Sequence, residues 1–219
     1  MMNADKQVLH VGCGPQSANA LPEMFQGGQW REIRLDIDPG VRPDYVADIC
    51  DMGVIPSASM DGLYSSHNIE HLYPHDVPRA LLEFHRVLKE GGLLAIATPD
   101  IQRVAPFVAA GNLESPLYDS PVGPIAAIDM MYGHGMSMAA GNLFMAHKTG
   151  FTAGSLATKL LAAGFSDVCI LRKGFDLLAV ARKLAIMSQP RTQFKLSDQG
   201  GPAPGRQYED QNWINWGTG

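Results

Sequence analysis

Cysteine is scarce: the chain has three, Cys13, Cys50 and Cys169, widely spaced and in no CxxC pair. An odd, scattered set excludes a disulfide framework and a zinc ribbon, and fits a reducing compartment. Basic charge is also short, with 17 Lys and Arg against 22 Asp and Glu and a net charge of −5. A nucleic-acid-binding surface normally carries the opposite excess, so no nucleic-acid partner is expected. No apolar run approaches the roughly 18 residues of a transmembrane helix. The opening MMNADKQVLHVGCG lacks the apolar core of a secretory signal. The expectation is a cytoplasmic protein with no membrane partner. Charged residues are only 18% of 219, and apolar residues are 46%. That balance excludes a mostly disordered chain and suits one α/β domain of ordinary size.

What is present first is alternation. Residues 7–11 (QVLHV), 32–35 (EIRL), 45–47, 62–65 (GLYS) and 93–98 (LLAIAT) are short β-rich runs, each closed by a turn residue. Between the fourth and fifth runs, Val77, Leu81, Phe84 and Leu88 recur at helical spacing. Asp76 is placed to cap that helix, Pro78 sits in its first turn, Lys89 in its last, and Gly91 follows. Strands alternating with helices imply a parallel sheet. A second helix is expected from Thr152 to Gly164. After it, residues 168–171 and 177–181 are joined by a link short enough for an antiparallel pair. The fold class expected is therefore α/β: a doubly wound, seven-stranded, mostly parallel sheet whose last strand is antiparallel. The ligand should sit at the carboxyl ends of the first, second and fourth strands.

Domain organisation follows the same division. Residues 1–186 read as a single domain. Within it, residues 101–148 form a substrate-side insertion, rich in Pro and Gly and with four methionines at 130, 131, 136 and 138. Those methionines, and Met145, suit either core packing or an adaptable apolar wall for a substrate. Residues 187–219 have the composition of a tail. Tyr208, Trp213, Ile214 and Trp216 suggest that residues 210–216 dock, on their own domain or on a second subunit as a homodimer.

The most informative segment is Val8-Leu9-His10-Val11-Gly12-Cys13-Gly14-Pro15, a strand entering a Gly-x-Gly turn whose backbone can approach a ligand closely. Asp36 lies 22 residues past Gly14 at the end of the next strand, where an acid can accept hydrogen bonds from ribose hydroxyls. A dinucleotide site wants a further glycine for helix packing and a pyrophosphate, and this chain has Ser17. S-adenosylmethionine has no phosphate and fits better. Asp48, at the end of the third strand, suits the adenine amino group, with Ile49 beside the ring.

Here the chain resembles a known family. Val8 to Gly14, then Arg34-Leu35-Asp36-Ile37-Asp38-Pro39, then Val46-Ala47-Asp48-Ile49, are similar to the first three motifs of class I S-adenosylmethionine-dependent methyltransferases. Ser65-Ser66-His67-Asn68-Ile69-Glu70-His71-Leu72 and Phe84-His85-Arg86-Val87-Leu88-Lys89-Glu90-Gly91-Gly92 resemble the type 11 branch. His10 stands where the family has an acid, and Gln16 where it has a third glycine. The resemblance implies S-adenosylmethionine as cofactor and methyl transfer to a small-molecule acceptor. It implies Gly12, Cys13 and Gly14 at the methionine end, Asp36 and Ile37 near the ribose, Asp48 and Ile49 at the adenine, and Ser65, Ser66 and His67 near the sulfonium. The competing readings are an NAD-dependent oxidoreductase and a methyltransferase-like protein that binds cofactor without catalysis.

The histidines raise two further questions. His67-Asn68-Ile69-Glu70-His71 matches H-x-x-E-H, which on a helix would place two histidines for zinc. It begins at a strand end and Pro74 follows, so no metal is assigned. Methyl transfer needs a base only if the acceptor must lose a proton. His71 and His147 are the candidate catalytic residues, with His67 and His134 nearby in sequence or in the insertion.

Overall fold

The computed structural model describes residues 6–16, 21–184 and 194–200. In β1 (Lys6–Val11), strand alternation sends Leu9 and Val11 into the main core and Val8 and His10 to the opposite face. β2 (Trp30–Asp36) pairs parallel to one side of β1, and β3 (Tyr45–Val46) continues outward from β2. β4 (Met60–Ser66) pairs on the other side of β1, followed by β5 (Leu88–Pro99). The order reverses at β1, so the crevice at the carboxyl ends of β1, β2 and β4 is where a ligand is expected to lie.

α1 (Val77–Val87) joins β4 to β5, and Val77, Ala80, Leu81, Phe84 and Val87 are its buried stripe. After β5 come α2 (Ile101–Ala109), the hairpin β6 (Pro116–Ser120) and β7 (Gly123–Ala126), α3 (Ala127–Tyr132) and α4 (Gly135–Ala139). α5 (Ala153–Ala162) then leads to β8 (Phe165–Lys173) and β9 (Asp176–Lys183). β9 runs antiparallel to both β5 and β8, as the short 172–176 link requires. α1 and α5 cover one face of the sheet in a single large core. Residues of α2, the hairpin and α3 form a second, smaller core with Phe175.

The sheet is α/β and mostly parallel, as expected, but it has eight strands. β10 (Lys195–Asp198), from the segment read as a tail, pairs parallel with β8 from Lys195↔Cys169 to Asp198↔Arg172. Asp198 also forms an ion pair with Arg103. Ser17 and residues 210–216 lie outside the described residues.

Two local expectations are corrected. Asp76 does not cap α1 with its side chain, which instead lies near Arg79 (3.9 Å) and His75 (3.5 Å). Lys89 is not in the helix: α1 ends at Val87, and Lys89 lies in β5, where its Nζ pairs with Asp61 at 2.8 Å. β5 begins before Gly91 because the β4–β5 register shifts between Met60 and Gly62, which absorbs the extra residues 89–92.

Among the described residues between Gly14 and β2, Glu23–Phe25 form a 3-10 turn. Phe25 covers the sheet, packed with Val8, Tyr64 and Ala95 and edge-on to Trp30. Its ring lies where a side chain at position 62 would project: a Cβ on Gly62 would be 2.6 Å from Phe25 Cε1. Gly62→Ala should therefore cost about 1–3 kcal/mol through overpacking, seen as a fall of several degrees in a thermal melt followed by circular dichroism. An unchanged melt would show that Phe25 is not wedged there.

Candidate functional site

The loop after β1 is shaped by glycine and held by charge. Gly12 and Gly14 have φ of +61° and +57°, the left-handed region that favours glycine. The buried Arg34 guanidinium donates to the Gly14 carbonyl, and Cys13 N–H donates to the Leu35 carbonyl at 3.3 Å. Asp36 completes the tie. Its Oδ2 accepts from Gly14 N–H and its Oδ1 from Asp38 N–H, both at 2.9 Å. A carboxylate has about four lone-pair positions, so roughly two remain for a ribose. Burial pushes the Cys13 thiol up to about 11, against the pull of Arg34. Cys13 is thus a neutral packing group and not a nucleophile.

The adenine-side residues divide between core and surface. Asp48 is exposed, and its Oδ1 accepts from Cys50 N–H at 2.8 Å. Ile49 is buried in the main core. Just after β2, Ile37 is 48% exposed beside Asp36, and Tyr45 and Val46 of β3 are exposed near Asp48.

β4 ends in Ser65, fully buried, and Ser66, which hydrogen-bonds to Tyr64. His67 follows with φ of +45° and anchors the turn by donating its N–H to the Ala97 carbonyl at 2.9 Å. This bend carries the chain into the 3-10 turn Ile69–His71 instead of a helix, so His67 and His71 do not share a helical face. Asn68 folds back over the loop: a Cβ on Gly12 would be 2.5 Å from Asn68 Cγ.

Buried polar atoms without hydrogen-bond partners gather in this region. His10 Nε2, Ser65 Oγ, Asn68 Nδ2 and Glu70 Oε1 are four of them, and Asp176 Oδ1, at the start of β9, is a fifth. Native proteins rarely leave such atoms unpaired, which makes this region a candidate polar-ligand site. His10, 1% exposed, is held through Nδ1 by Glu32 Oε1 at 2.7 Å and packs against Tyr64.

Beyond the turn lies a cluster of acids and imidazoles. Glu70 is 1% exposed; Thr98 Oγ1 donates to its Oε2 at 3.0 Å. Burial opposes ionisation of Glu70, but His67 and the other two imidazoles, His71 and His147, hold its carboxyl down at about 2. His67 Nδ1 stands 3.4 Å from Glu70 Oε1 and its Nε2 3.6 Å from Asp176 Oδ2. Burial works against its charge, yet Asp176 and Glu70 raise the His67 pKa well above the ordinary value.

His71 and His147 meet edge to face with ring centroids 4.9 Å apart, although 76 residues separate them. His71 Nδ1 faces the Ala146 carbonyl and Nε2 the His67 carbonyl, each at 3.1 Å. His147 Nδ1 donates to the Met130 carbonyl at 3.0 Å, which leaves the lone pair on Nε2. Burial pushes the His147 pKa down.

The segment between Met130 and His147 carries no charged residue. It closes on itself: His147 N–H donates to the Tyr132 carbonyl at 3.0 Å, and Gly133, with φ of +97°, lies so close to Met145 that a Cβ would be 1.9 Å from its carbonyl oxygen. Met136, Leu143 and Phe144 on this flap are exposed, while Met130 is buried in the second core. His134 stands apart from the cluster, bonded through Nδ1 to Ser137 Oγ at 2.7 Å.

The structure thus gathers Gly12, Cys13, Gly14, Asp36, Ser65 and His67 at adjoining strand ends. It groups His71 and His147 with Glu70, a patch joined to the strand ends through His67. Sequence reading missed Asn68 as a loop contact, Asp176 as a partner of His67, and Glu70 as the charge at the centre of the imidazoles.

Residues 9–96 match the family model of a methyltransferase domain. No curated protein matches the chain. Among solved structures, it is similar to an S-adenosylmethionine-dependent methyltransferase of Methanosarcina mazei, with 17% identity over 84% of this chain and 94% of that one and a TM-score of 0.54. It is similar to the 1,6-didemethyltoxoflavin-N1-methyltransferase of Burkholderia thailandensis, which binds 1,6-didemethyltoxoflavin and S-adenosylhomocysteine, at 18% identity over 82% and 72% with a TM-score of 0.50. It is also similar to a protein of Bordetella parapertussis named as a possible exported protein, at 19% identity over 83% of this chain with a TM-score of 0.51. This chain spans 62% of that protein's length. No helix among the described residues is long and apolar enough to cross a membrane.

Proposed function

We propose, for a chain whose residues 9–96 form a methyltransferase domain of the S-adenosylmethionine-dependent class, that the methyl group goes to a small organic acceptor, held between the strand ends and the 101–148 segment. One observation carries the cofactor site of this reading: the unpaired buried atoms His10 Nε2, Ser65 Oγ and Asn68 Nδ2 beside the Gly12–Gly14 loop. In this reading Gly12, Cys13 and Gly14 receive the methionine end, Asp36 and Ile37 the ribose, Asp48 the adenine, and Ser65 to His67 the region of the sulfonium. Asn68 joins them as the side chain over Gly12. Ile49 supports this end from the core.

The cofactor brings a methyl group already activated as a sulfonium. The protein's task is to hold the acceptor in line with it and keep water out. On the acceptor side, His71 and His147 form a polar floor, and the uncharged flap with Met136, Leu143 and Phe144 supplies an apolar wall. The His147 Nε2 lone pair is the group there able to take a proton or hold a cation.

Radiolabelled S-adenosylmethionine incubated with the protein and a cell extract tests the reading. Label passing an ultrafiltration membrane in a new compound is the expected result. Label confined to macromolecules would overturn the small-molecule acceptor. No label anywhere, together with calorimetric binding of S-adenosylhomocysteine, would favour a cofactor-binding protein without catalysis.

A further inference from the structure

The Glu70, His71 and His147 patch gathers three side chains able to hold a metal ion. Glu70, 1% exposed, is bonded at Oε2 by Thr98 and meets His67 Nδ1 only at 3.4 Å from Oε1, longer than a strong hydrogen bond. His147 directs its proton to the Met130 carbonyl and keeps a lone pair on Nε2. His71 has a carbonyl oxygen 3.1 Å from each ring nitrogen, Ala146 at Nδ1 and His67 at Nε2. A carboxylate oxygen and a nitrogen from each ring lie within 4.8 Å of one another.

We propose that these three residues bind a divalent transition-metal ion of the zinc type. Two imidazoles and one carboxylate are a donor set that zinc takes in open, catalytic sites, with a fourth position left for water or substrate. The surroundings match what such ligands need. A metal-binding histidine usually donates its second ring N–H to a carbonyl or carboxylate. Here the Met130 carbonyl does this for His147, and the Ala146 or His67 carbonyl does it for His71. Ligands bound at about 2.0–2.1 Å sit roughly 3.4 Å apart in a tetrahedron, so the trio would close inward by about an ångström.

This trio is not the one the H-x-x-E-H motif describes. The positive φ at His67 turns that residue out of register and toward Asp176. The third ligand comes instead from His147, at the neck of the flap. The proposal rests on the placement of three side chains and not on the methyltransferase reading. If both hold, the open position faces the acceptor side, where the ion would bind an acceptor oxygen or nitrogen and ease loss of its proton to water.

Chelator-treated full-length protein should be titrated with zinc by calorimetry, and with cobalt by visible absorption. Folding is checked by circular dichroism. One zinc per chain and a four- or five-coordinate cobalt spectrum are expected. Glu70→Gln and His147→Asn should each weaken zinc binding by on the order of 100-fold, while His75→Ala, at an exposed histidine, should leave it unchanged. Absence of zinc binding, or binding that the first two variants do not weaken, would overturn the site. S-adenosylhomocysteine affinity measured on the same samples separates the two readings: protein that binds it but not zinc loses the metal and keeps the cofactor site.

Discussion

Replacing Asp36 with alanine should weaken S-adenosylhomocysteine binding by about 100-fold or more in calorimetry. The carboxylate does two jobs at once. It holds the loop by accepting from the Gly14 and Asp38 N–H groups, each at 2.9 Å, and in the proposed cofactor site its remaining lone pairs would accept from the two ribose hydroxyls. Charge-assisted hydrogen bonds contribute roughly 1.5–3 kcal/mol each, and two of them to the ligand amount to about two or more powers of ten in affinity. Loss of the loop ties adds to that, because Gly14 then depends on Arg34 alone. Asp36→Asn should fall between, since an amide oxygen can keep one tie while its NH2 opposes the other N–H donor. Unchanged affinity in the alanine variant would remove Asp36 from the site.

The second large effect is on acid stability. The Glu70 carboxyl is held at about 2 in the folded protein, below its ordinary 4.5, by the imidazoles around it. A folded-state pKa below the unfolded one contributes stability that is fully present above the unfolded value and is lost as pH falls through the folded value. The window is therefore pH 4.5 down to about 2. A shift of this size corresponds to roughly 3 kcal/mol. Urea unfolding across that window should show wild type losing about this much more than Glu70→Gln, which has no proton to gain. Parallel losses in the two proteins would mean that Glu70 is not the titrating group.

The strand ends were legible because their signals are local. A β-rich run closed by glycine or an acid marks both where a strand stops and which residue sits at its carboxyl end, so Gly12, Gly14, Asp36 and Ser65 could be placed from sequence. The antiparallel finish was legible for the same reason, through the shortness of the link before Asp176. The region proposed for the acceptor was not. His147 reaches His71 across 76 residues, through carbonyls of a flap that has no periodicity to read. Asp176 appeared only as a turn residue, and what makes it matter is the pairing of β9 with Pro99, which sets it opposite His67. Ile37 and Ile49 are both isoleucines next to a motif acid, and only packing shows that one faces solvent and the other the core. β10 was hidden by its composition: Lys195 to Asp198 are all exposed, so no buried face marks them as a strand.

That short strand also bears on how the molecule avoids its own kind. A sheet edge is a row of unpaired donors and acceptors that can recruit another chain and start aggregation. Without β10, the outer edge would be β8, nine residues long with an apolar inner face. With it, the described sheet stops at four residues on one side, two of them charged, and at the two residues of β3 on the other. Neither is long enough to give an incoming strand much of a ladder. Lys195–Asp198 thus acts as an edge guard, blunting the longest open strand while adding almost nothing to the core.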